Sequence, residues 1–131
     1  MGAAGRHPHF LSPLSWHASL AEGLVAAGES KRAVLLVVGR QSCGGCRALV
    51  EKTIAKEEIL EYLDAHYVGV AGDADSPEPA VAALVARMPQ HDRTPLCLYL
   101  SAAGELMHFT FGGRPPAVFL SDLLEAPHRG R

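Results

Sequence analysis

Two cysteines separated by two glycines form the segment of this sequence best suited to chemistry. The segment Cys43-Gly44-Gly45-Cys46 follows an apolar run and precedes a stretch with helical spacing. If a helix begins at Cys43, the two sulfurs lie about one turn apart, close enough to bond. The first sulfur then lies at the helix N-terminus, where free N–H groups and the helix dipole favour a thiolate. The spacing therefore predicts a dithiol that interconverts with a disulfide.

The position of each sulfur in the helix predicts its role. Cys43 is the candidate nucleophile, and Cys46, one turn further inside, is the candidate resolving thiol. Arg40 and Arg47 lie close by in the chain, and their positive charges are expected to lower the pKa of the Cys43 thiol. The Cys43 thiolate would attack a partner disulfide, and Cys46 would then resolve the mixed disulfide. This exchange needs no cofactor, and its partners are protein or small-molecule thiols and disulfides.

A metal site is the chemical alternative to this exchange. One CxxC supplies only half of a structural zinc site, and His66, His91 and His108 show no paired spacing. We therefore predict no metal, although a metal or iron–sulfur carrier that uses the CxxC stays open. The third cysteine, Cys97, stands alone inside an apolar run and is expected to be an inert buried thiol.

The elements that must position the CxxC are predicted from the apolar spacing before and after it. Ala33–Val38 is an apolar run typical of a central strand buried on both sides. Before it, a helix is predicted from Trp16 to about Ala27, with Ser15 as its cap. After it, Cys43–Ala65 has helical spacing with a break near Thr53 to Lys56.

The second half of the chain alternates in the same way. Pro and Gly residues divide it into a strand, a helix, two strands and a last helix, namely Tyr67–Ala71, Pro79–Met88, Leu96–Leu100, Leu106–Phe111 and Pro116 to about Glu125. Gly104 lies in the short turn between the last two strands, where a positive φ is expected. The order α-β-α-β-α-β-β-α predicts an α/β fold with a four-stranded mixed sheet flanked by helices.

Composition restricts the class of protein further. The 131 residues are 48% hydrophobic and 20% charged, which is typical of one globular domain. The net charge of −2 favours neither nucleic acid nor a membrane surface as partner. We expect a monomer with a domain over residues 14–125 between tails at 1–13 and 126–131. No secretory signal is apparent, so a cytoplasmic location is expected, or a periplasmic or secretory one if a signal has been removed.

Taken together, these motifs resemble the thioredoxin superfamily over roughly residues 14–125. The chain looks most like small single-domain thioredoxin-like proteins of the anterior-gradient and endoplasmic-reticulum type and their bacterial disulfide-reductase relatives. The residues that carry the resemblance are Trp16 with Leu20–Gly23, the strand Val34–Val38, the segment Ser42–Leu49, Thr94-Pro95 before an apolar strand, and the Gly104 hairpin.

The resemblance implies more than the cysteine spacing does. It implies that Pro95 is cis and faces the CxxC, and that the backbone of Thr94 pairs with an extended partner peptide. It also implies that Gly112 and Gly113 lie beside the active site; the alternative is that both simply end a strand. The implied function is that of a thiol–disulfide oxidoreductase, a protein disulfide reductase or isomerase.

Three departures from thioredoxins proper leave a second interpretation open. Ser42 stands where thioredoxins usually have Trp, and Gly45 stands where they usually have Pro. The strand Val34–Val38 also lacks the buried acid that the family uses as a proposed proton acceptor. A thioredoxin-fold binding module with a redox-idle CxxC is therefore the alternative to an oxidoreductase.

Overall fold

The computed structural model describes residues 16–40, 43–89 and 93–129. Within these residues, five strands form one mixed sheet in the order β1-β3-β2-β4-β5. The elements are β1 (Trp16–His17), α1 (Leu20–Ser30), β2 (Ala33–Gly39), α2 (Gly44–Ala48), a π-helical segment (Leu49–Ile54), α3 (Glu57–His66), β3 (Tyr67–Asp73), α4 (Pro79–Ala86), β4 (Leu96–Leu100), β5 (Leu106–Phe111) and α5 (Pro116–Arg129). The predicted mixed sheet between helices is confirmed, with five strands instead of four.

The extra strand lies where the sequence predicted the start of the first helix. Trp16 and His17 are extended and pair with β3 in parallel, so that the buried Trp16 lies opposite Gly69. The helix begins only at Leu20, where the Ser19 hydroxyl accepts the Glu22 N–H at 3.1 Å. Ser19 with an acid three residues later is a capping signature that outranks helical spacing as a start signal. The predicted cap, Ser15, lies outside the described residues.

The strand β2 lies at the centre of the sheet and leads to the CxxC. It pairs with β3 in parallel and with β4 in antiparallel orientation. The hairpin between β4 and β5 turns at Gly104, whose φ of 91° agrees with the predicted positive value. Both hairpin strands have their predicted bounds, and β3 continues two residues beyond Ala71 to Asp73.

The two faces of the sheet bury different kinds of side chain. The face under α1 and α4, here called the aliphatic face, buries Leu20, Ala27, Val34, Leu36, Val38, Val68, Val70, Val81, Met88, Leu96, Leu98 and Leu100. The face under the π-helical segment, α3 and α5, here called the aromatic face, buries Trp16, Leu35, Val37, Leu49, Val50, Ile54, Ile59, Leu63, Tyr67, Ala71, Cys97, Tyr99, Phe119, Leu123 and Ala126.

The last helix is longer than predicted. It runs through Pro127 to Arg129 instead of ending near Glu125, and Ala126 is fully buried. Pro127 has no N–H to donate to the carbonyl of Leu123 four residues earlier. That carbonyl instead accepts the Tyr67 hydroxyl at 2.7 Å, so the helix continues past a residue that usually ends one. None of the helices in the described ranges is long and apolar enough to cross a membrane.

Candidate active site

The CxxC lies where the prediction placed it, between β2 and a helix. Cys43 has extended backbone and caps α2, and its Sγ accepts the backbone N–H of Cys46 at 3.1 Å. The two cysteines form a disulfide with their Cα atoms 5.2 Å apart. A cysteine at the cap position therefore places one sulfur beside the free N–H groups of the first turn, where a thiolate is stabilised.

The helix after the CxxC is interrupted, as the spacing predicted. α2 passes into the π-helical segment Leu49–Ile54, and the chain breaks at Ala55 and Lys56 before α3 begins. A π-helical turn is wider than an α-helical turn and is often found near functional sites. Here it places the Thr53 side chain in the interior, with only 4% of the residue exposed.

The two sulfurs differ in their access to solvent. Cys43 is half-buried, whereas Cys46 is completely buried. A partner disulfide can therefore reach Cys43 but not Cys46. This asymmetry leaves Cys43 open to a first attack, and the order in which Cys43 reacts first and Cys46 resolves stays a prediction.

The Thr94-Pro95 segment lies against the CxxC. The peptide bond between the two residues is cis, which confirms the expectation from the resemblance. The Thr94 hydroxyl donates a hydrogen bond to Cys43 Sγ at 3.4 Å. A Cβ atom added to Gly45 would lie 3.2 Å from Cδ of Pro95, whereas one added to Gly44 would meet nothing within 4 Å. Gly45 is thus the point of close approach between the two segments.

A third segment borders Pro95. The backbone N–H of Gly112, directly after β5, donates to the Pro95 carbonyl at 2.8 Å. Gly113 follows it and is exposed. The structure therefore brings together the CxxC, the cis-proline segment and the turn after β5, which are 52 and 17 residues apart in the chain by the numbers of Cys43, Pro95 and Gly112.

The two arginines predicted to tune Cys43 occupy different environments. Arg40 forms an ion pair with Asp75, with Nε 3.5 Å from Oδ1. Arg47 is exposed on α2, and its backbone N–H donates to the Cys43 carbonyl at 3.2 Å. Neither guanidinium contacts Cys43 in the described part of the chain, so an effect of either on Cys43 would act through space.

The third thiol belongs to the core. Cys97 lies in β4 opposite Val37 and is fully buried. Burial raises the pKa of the Cys97 thiol to about 12, an effect that the neighbouring Thr110 hydroxyl partly opposes. This agrees with the prediction of an inert thiol.

Among the described residues, no three or more His, Cys, Asp or Glu side chains are grouped so that they could hold a metal ion. His66 ends α3, and His108 lies in β5 with its Nε2 3.7 Å from Asp122. His91 lies outside the described residues. The structure thus gives the metal alternative no additional ligands within the part of the chain that it describes.

Two contacts of the site were missed by the sequence analysis. The Thr94 side chain reaches Cys43, whereas the resemblance implied a role for the Thr94 backbone. The Thr53 hydroxyl donates to the Arg114 carbonyl at 2.6 Å and joins the π-helical segment that continues α2 to the turn after β5. The partners are 51 and 61 residues apart, so no local pattern could have indicated them.

A mixed sheet between helices, a CxxC at a helix start and a cis-proline facing it together define the thioredoxin-like class of proteins. A family described as thioredoxin-like matches residues 15–102. The chain belongs to this thioredoxin-like family.

Several solved structures share the fold. A thioredoxin from Thermus thermophilus is 26% identical, with 89% of each chain covered and a TM-score of 0.73. A protein described as DsbH oxidoreductase is 18% identical, with coverage of 92% and 88% and a TM-score of 0.63. A disulphide isomerase from Xylella fastidiosa Temecula1 is 23% identical, with coverage of 77% and 80% and a TM-score of 0.60. The last two show the fold alone. No curated protein matches the chain.

Proposed function

We propose that this protein is a thiol–disulfide oxidoreductase that uses Cys43 and Cys46. The observation that carries the proposal is the pairing of a half-buried Cys43 with a fully buried Cys46 in one disulfide, beside a cis-proline. A membership in the thioredoxin-like family supports redox activity in general. The partners are thiols and disulfides of proteins or of small molecules.

The reaction in the reducing direction has two exchange steps. The Cys43 thiolate attacks one sulfur of the partner disulfide, which forms a mixed disulfide and releases the other partner sulfur as a thiolate. Cys46 loses its proton and attacks Cys43 Sγ, which breaks the mixed disulfide and releases the second partner thiolate. Two electrons pass to the partner, and the Cys43–Cys46 disulfide forms. The oxidising direction is the reverse.

Each neighbour of Cys43 has a proposed role in the first step. The Thr94 hydroxyl and the Cys46 N–H both donate to Cys43 Sγ, and hydrogen bonds to the charged form lower a pKa. The backbone of Thr94 and the ring of Pro95 would receive the partner chain. Arg40 and Arg47 would add a positive potential, weakened at Arg40 by its ion pair with Asp75.

Two cysteine variants test this proposal. Cys43→Ser should abolish reduction of a protein disulfide such as that of insulin, because no other described thiol is accessible. Cys46→Ser should instead accumulate mixed disulfides, which are seen as reducible adducts on non-reducing gels. Cys97→Ser is the matched control and should keep wild-type turnover. Reduction that survives Cys43→Ser would contradict the proposal.

A binding module with a redox-idle CxxC is the second candidate, and one observation favours it. All seven residues of β2, the strand that leads to the CxxC, are apolar or glycine, so the strand offers no carboxylate to accept the Cys46 proton. Equilibration of the protein with mixtures of reduced and oxidised glutathione separates the two candidates. An oxidoreductase reaches a defined dithiol–disulfide ratio that follows the mixture, whereas a redox-idle CxxC keeps its starting state.

A further inference from the structure

The turn between β5 and α5, residues 112–115, is held by three contacts to three different elements. The Gly112 N–H donates to the carbonyl of Pro95 at 2.8 Å. The carbonyl of Arg114 accepts the Thr53 hydroxyl at 2.6 Å. The guanidinium of Arg114 binds the carboxylate of Asp122 in α5. The 112–115 turn is therefore tied to the cis-proline segment, to the CxxC helix and to the last helix.

The Arg114–Asp122 pair is built for rigidity. Arg114 Nε donates to Oδ2 at 2.9 Å and a terminal nitrogen donates to Oδ1 at 3.1 Å, so the pair is bidentate. The side chains are only 29% and 11% exposed, which reduces screening by solvent. Bidentate, charge-assisted pairs are stronger and more directional than single hydrogen bonds. His108 lies near the same carboxylate, with Nε2 3.7 Å from Oδ1.

The pair fixes backbone that a partner chain would meet. Gly113 is exposed, and the N–H of its neighbour Gly112 donates to the carbonyl of Pro95, whose ring leaves no free room for a side chain at Gly45 of the CxxC. A partner chain that lies across Cys43 and Pro95 therefore extends onto this turn. If the turn were loose, binding would have to order it, and the ordering entropy would weaken binding. A small disulfide needs only the Cys43 sulfur and avoids this loss.

We propose that Arg114 and Asp122 are positioning residues that set the affinity of the site for protein substrates over small disulfides. The Arg114–Asp122 pair holds the 112–115 turn in the conformation that a partner chain requires. This inference rests on the proposed function, because it concerns the substrates of the same site.

Steady-state kinetics with two substrates test the inference. Arg114→Gln and Asp122→Asn should each raise KM for insulin about tenfold while kcat and the rate with the small disulfide 5,5′-dithiobis(2-nitrobenzoate) stay within twofold. Arg114→Lys keeps the positive charge but cannot form the bidentate pair. Its KM for insulin should lie between those of Arg114→Gln and the wild type. The control is Arg32→Gln, which removes an arginine bonded to the carbonyls of Asp64 and Tyr67. Arg32→Gln should leave the kinetics with both substrates unchanged.

Amide hydrogen exchange measured by NMR supplies a readout that does not need turnover. In Arg114→Gln, exchange at Gly112 should accelerate at least fivefold, while amides in β2 keep wild-type protection; Arg32→Gln should leave Gly112 unchanged. Unchanged exchange at Gly112, or equal losses with insulin and the small disulfide, would overturn the inference. A wild-type protein that turns over neither substrate would contradict the proposed function instead, and the exchange at Gly112 would still decide whether the pair fixes the turn.

Discussion

The two faces of the sheet are built on different principles. The aliphatic face buries Leu, Val, Ala and Met side chains, which have no hydrogen-bonding groups apart from their backbone. The aromatic face buries two tyrosines and a free thiol among its apolar residues. The helix that begins at the CxxC continues, through its π-helical segment, over the aromatic face. The proposed chemistry of this protein thus lies on the side whose buried groups need specific partners.

The two faces should tolerate substitutions differently. An aliphatic core requires mainly the right volume and shape. A buried hydroxyl or thiol additionally needs a partner, and it must stay neutral inside the protein. The aromatic face should therefore respond to pH and to the loss of single polar atoms, whereas the aliphatic face should respond only to changes in packing.

The largest expected contrast is between the thiol of Cys43, at the start of the CxxC, and the thiol of Cys97, inside the aromatic face. In the reduced protein at pH 8, iodoacetamide should alkylate Cys43 at least about a hundredfold faster than Cys97, because the pKa of buried Cys97 is raised to about 12 and no solvent reaches it. Peptide mapping of the alkylated protein over time measures both rates. Comparable rates at the two sites would show that the aromatic face opens readily.

The next contrast is the response to high pH. Burial raises the pKa of Cys97 to about 12 and raises the pKa values of Tyr67 and Tyr99 above their usual range. Unfolding lets these acids ionise at their ordinary pKa values, so the unfolded state releases protons that the folded state keeps. The stability that these groups contribute should therefore be complete below about pH 7.5, where an unfolded cysteine is still protonated, and should fall above it, by up to about 1.4 kcal/mol per pH unit for each group that titrates.

Urea unfolding of the oxidised protein between pH 8 and pH 10.5 measures this loss, since the bonded Cys43 and Cys46 then do not titrate. Cys97→Ala should reduce the slope most between about pH 8 and pH 9, where the thiol contributes more than the tyrosines, whose ordinary pKa is about 10. A free energy of unfolding that stays constant over the whole range would mean that the aromatic face does not exclude charge.

On the aliphatic face, a matched pair of glycines in α1 tests packing alone. A Cβ on Gly23 would overlap Cγ2 of Val70, whereas one on Gly28 would meet nothing within 4 Å. Gly23→Ala should cost about 1–3 kcal/mol through overpacking. Gly28→Ala should stabilise the helix by up to about 1 kcal/mol, because alanine is the better helix former. Thermal unfolding of both variants separates the two effects, and a neutral Gly23→Ala would show that α1 shifts freely.

Sequence reasoning predicted the parts of this molecule that local patterns determine. The strands Leu96–Leu100 and Leu106–Phe111 are apolar runs bounded by Pro and Gly, and both have their predicted bounds. The break after the CxxC helix was also predicted. The predicted start of α1 at Trp16 is wrong, because the helix begins after the Ser19 cap and helical spacing alone does not locate that cap. The cis bond at Pro95 was reached only through family resemblance, since neither spacing nor composition distinguishes cis from trans.

The contacts that hold the candidate site in place could not be predicted from the sequence, for a physical reason. The contacts of Thr53 with Arg114 and of Thr94 with Cys43 exist only because the sheet brings distant segments to one edge. Arg114 and Asp122 are eight residues apart, but the turn and the helix between them decide whether their side chains meet. The end of α5 shows the same limit, because Pro127 indicates a helix end unless Tyr67 is known to satisfy the carbonyl of Leu123.

The smallest expected contrast lies within the aromatic face, between its two buried tyrosines. The Tyr67 hydroxyl donates to the Leu123 carbonyl at 2.7 Å, whereas the Tyr99 hydroxyl makes no hydrogen bond of good geometry within the described residues. Tyr67→Phe should cost about 1 kcal/mol, because it leaves a buried carbonyl that Pro127 cannot serve. Tyr99→Phe should change the free energy of unfolding by less than about 0.5 kcal/mol or raise it, since it removes a buried hydroxyl that lacks a partner. Urea unfolding at pH 7 compares the two variants under conditions where neither hydroxyl ionises. Equal losses in the free energy of unfolding would mean that the tyrosines stabilise the aromatic face through their rings alone. The aromatic face would then differ from the aliphatic face in the shape of its side chains and not in its need for polar partners.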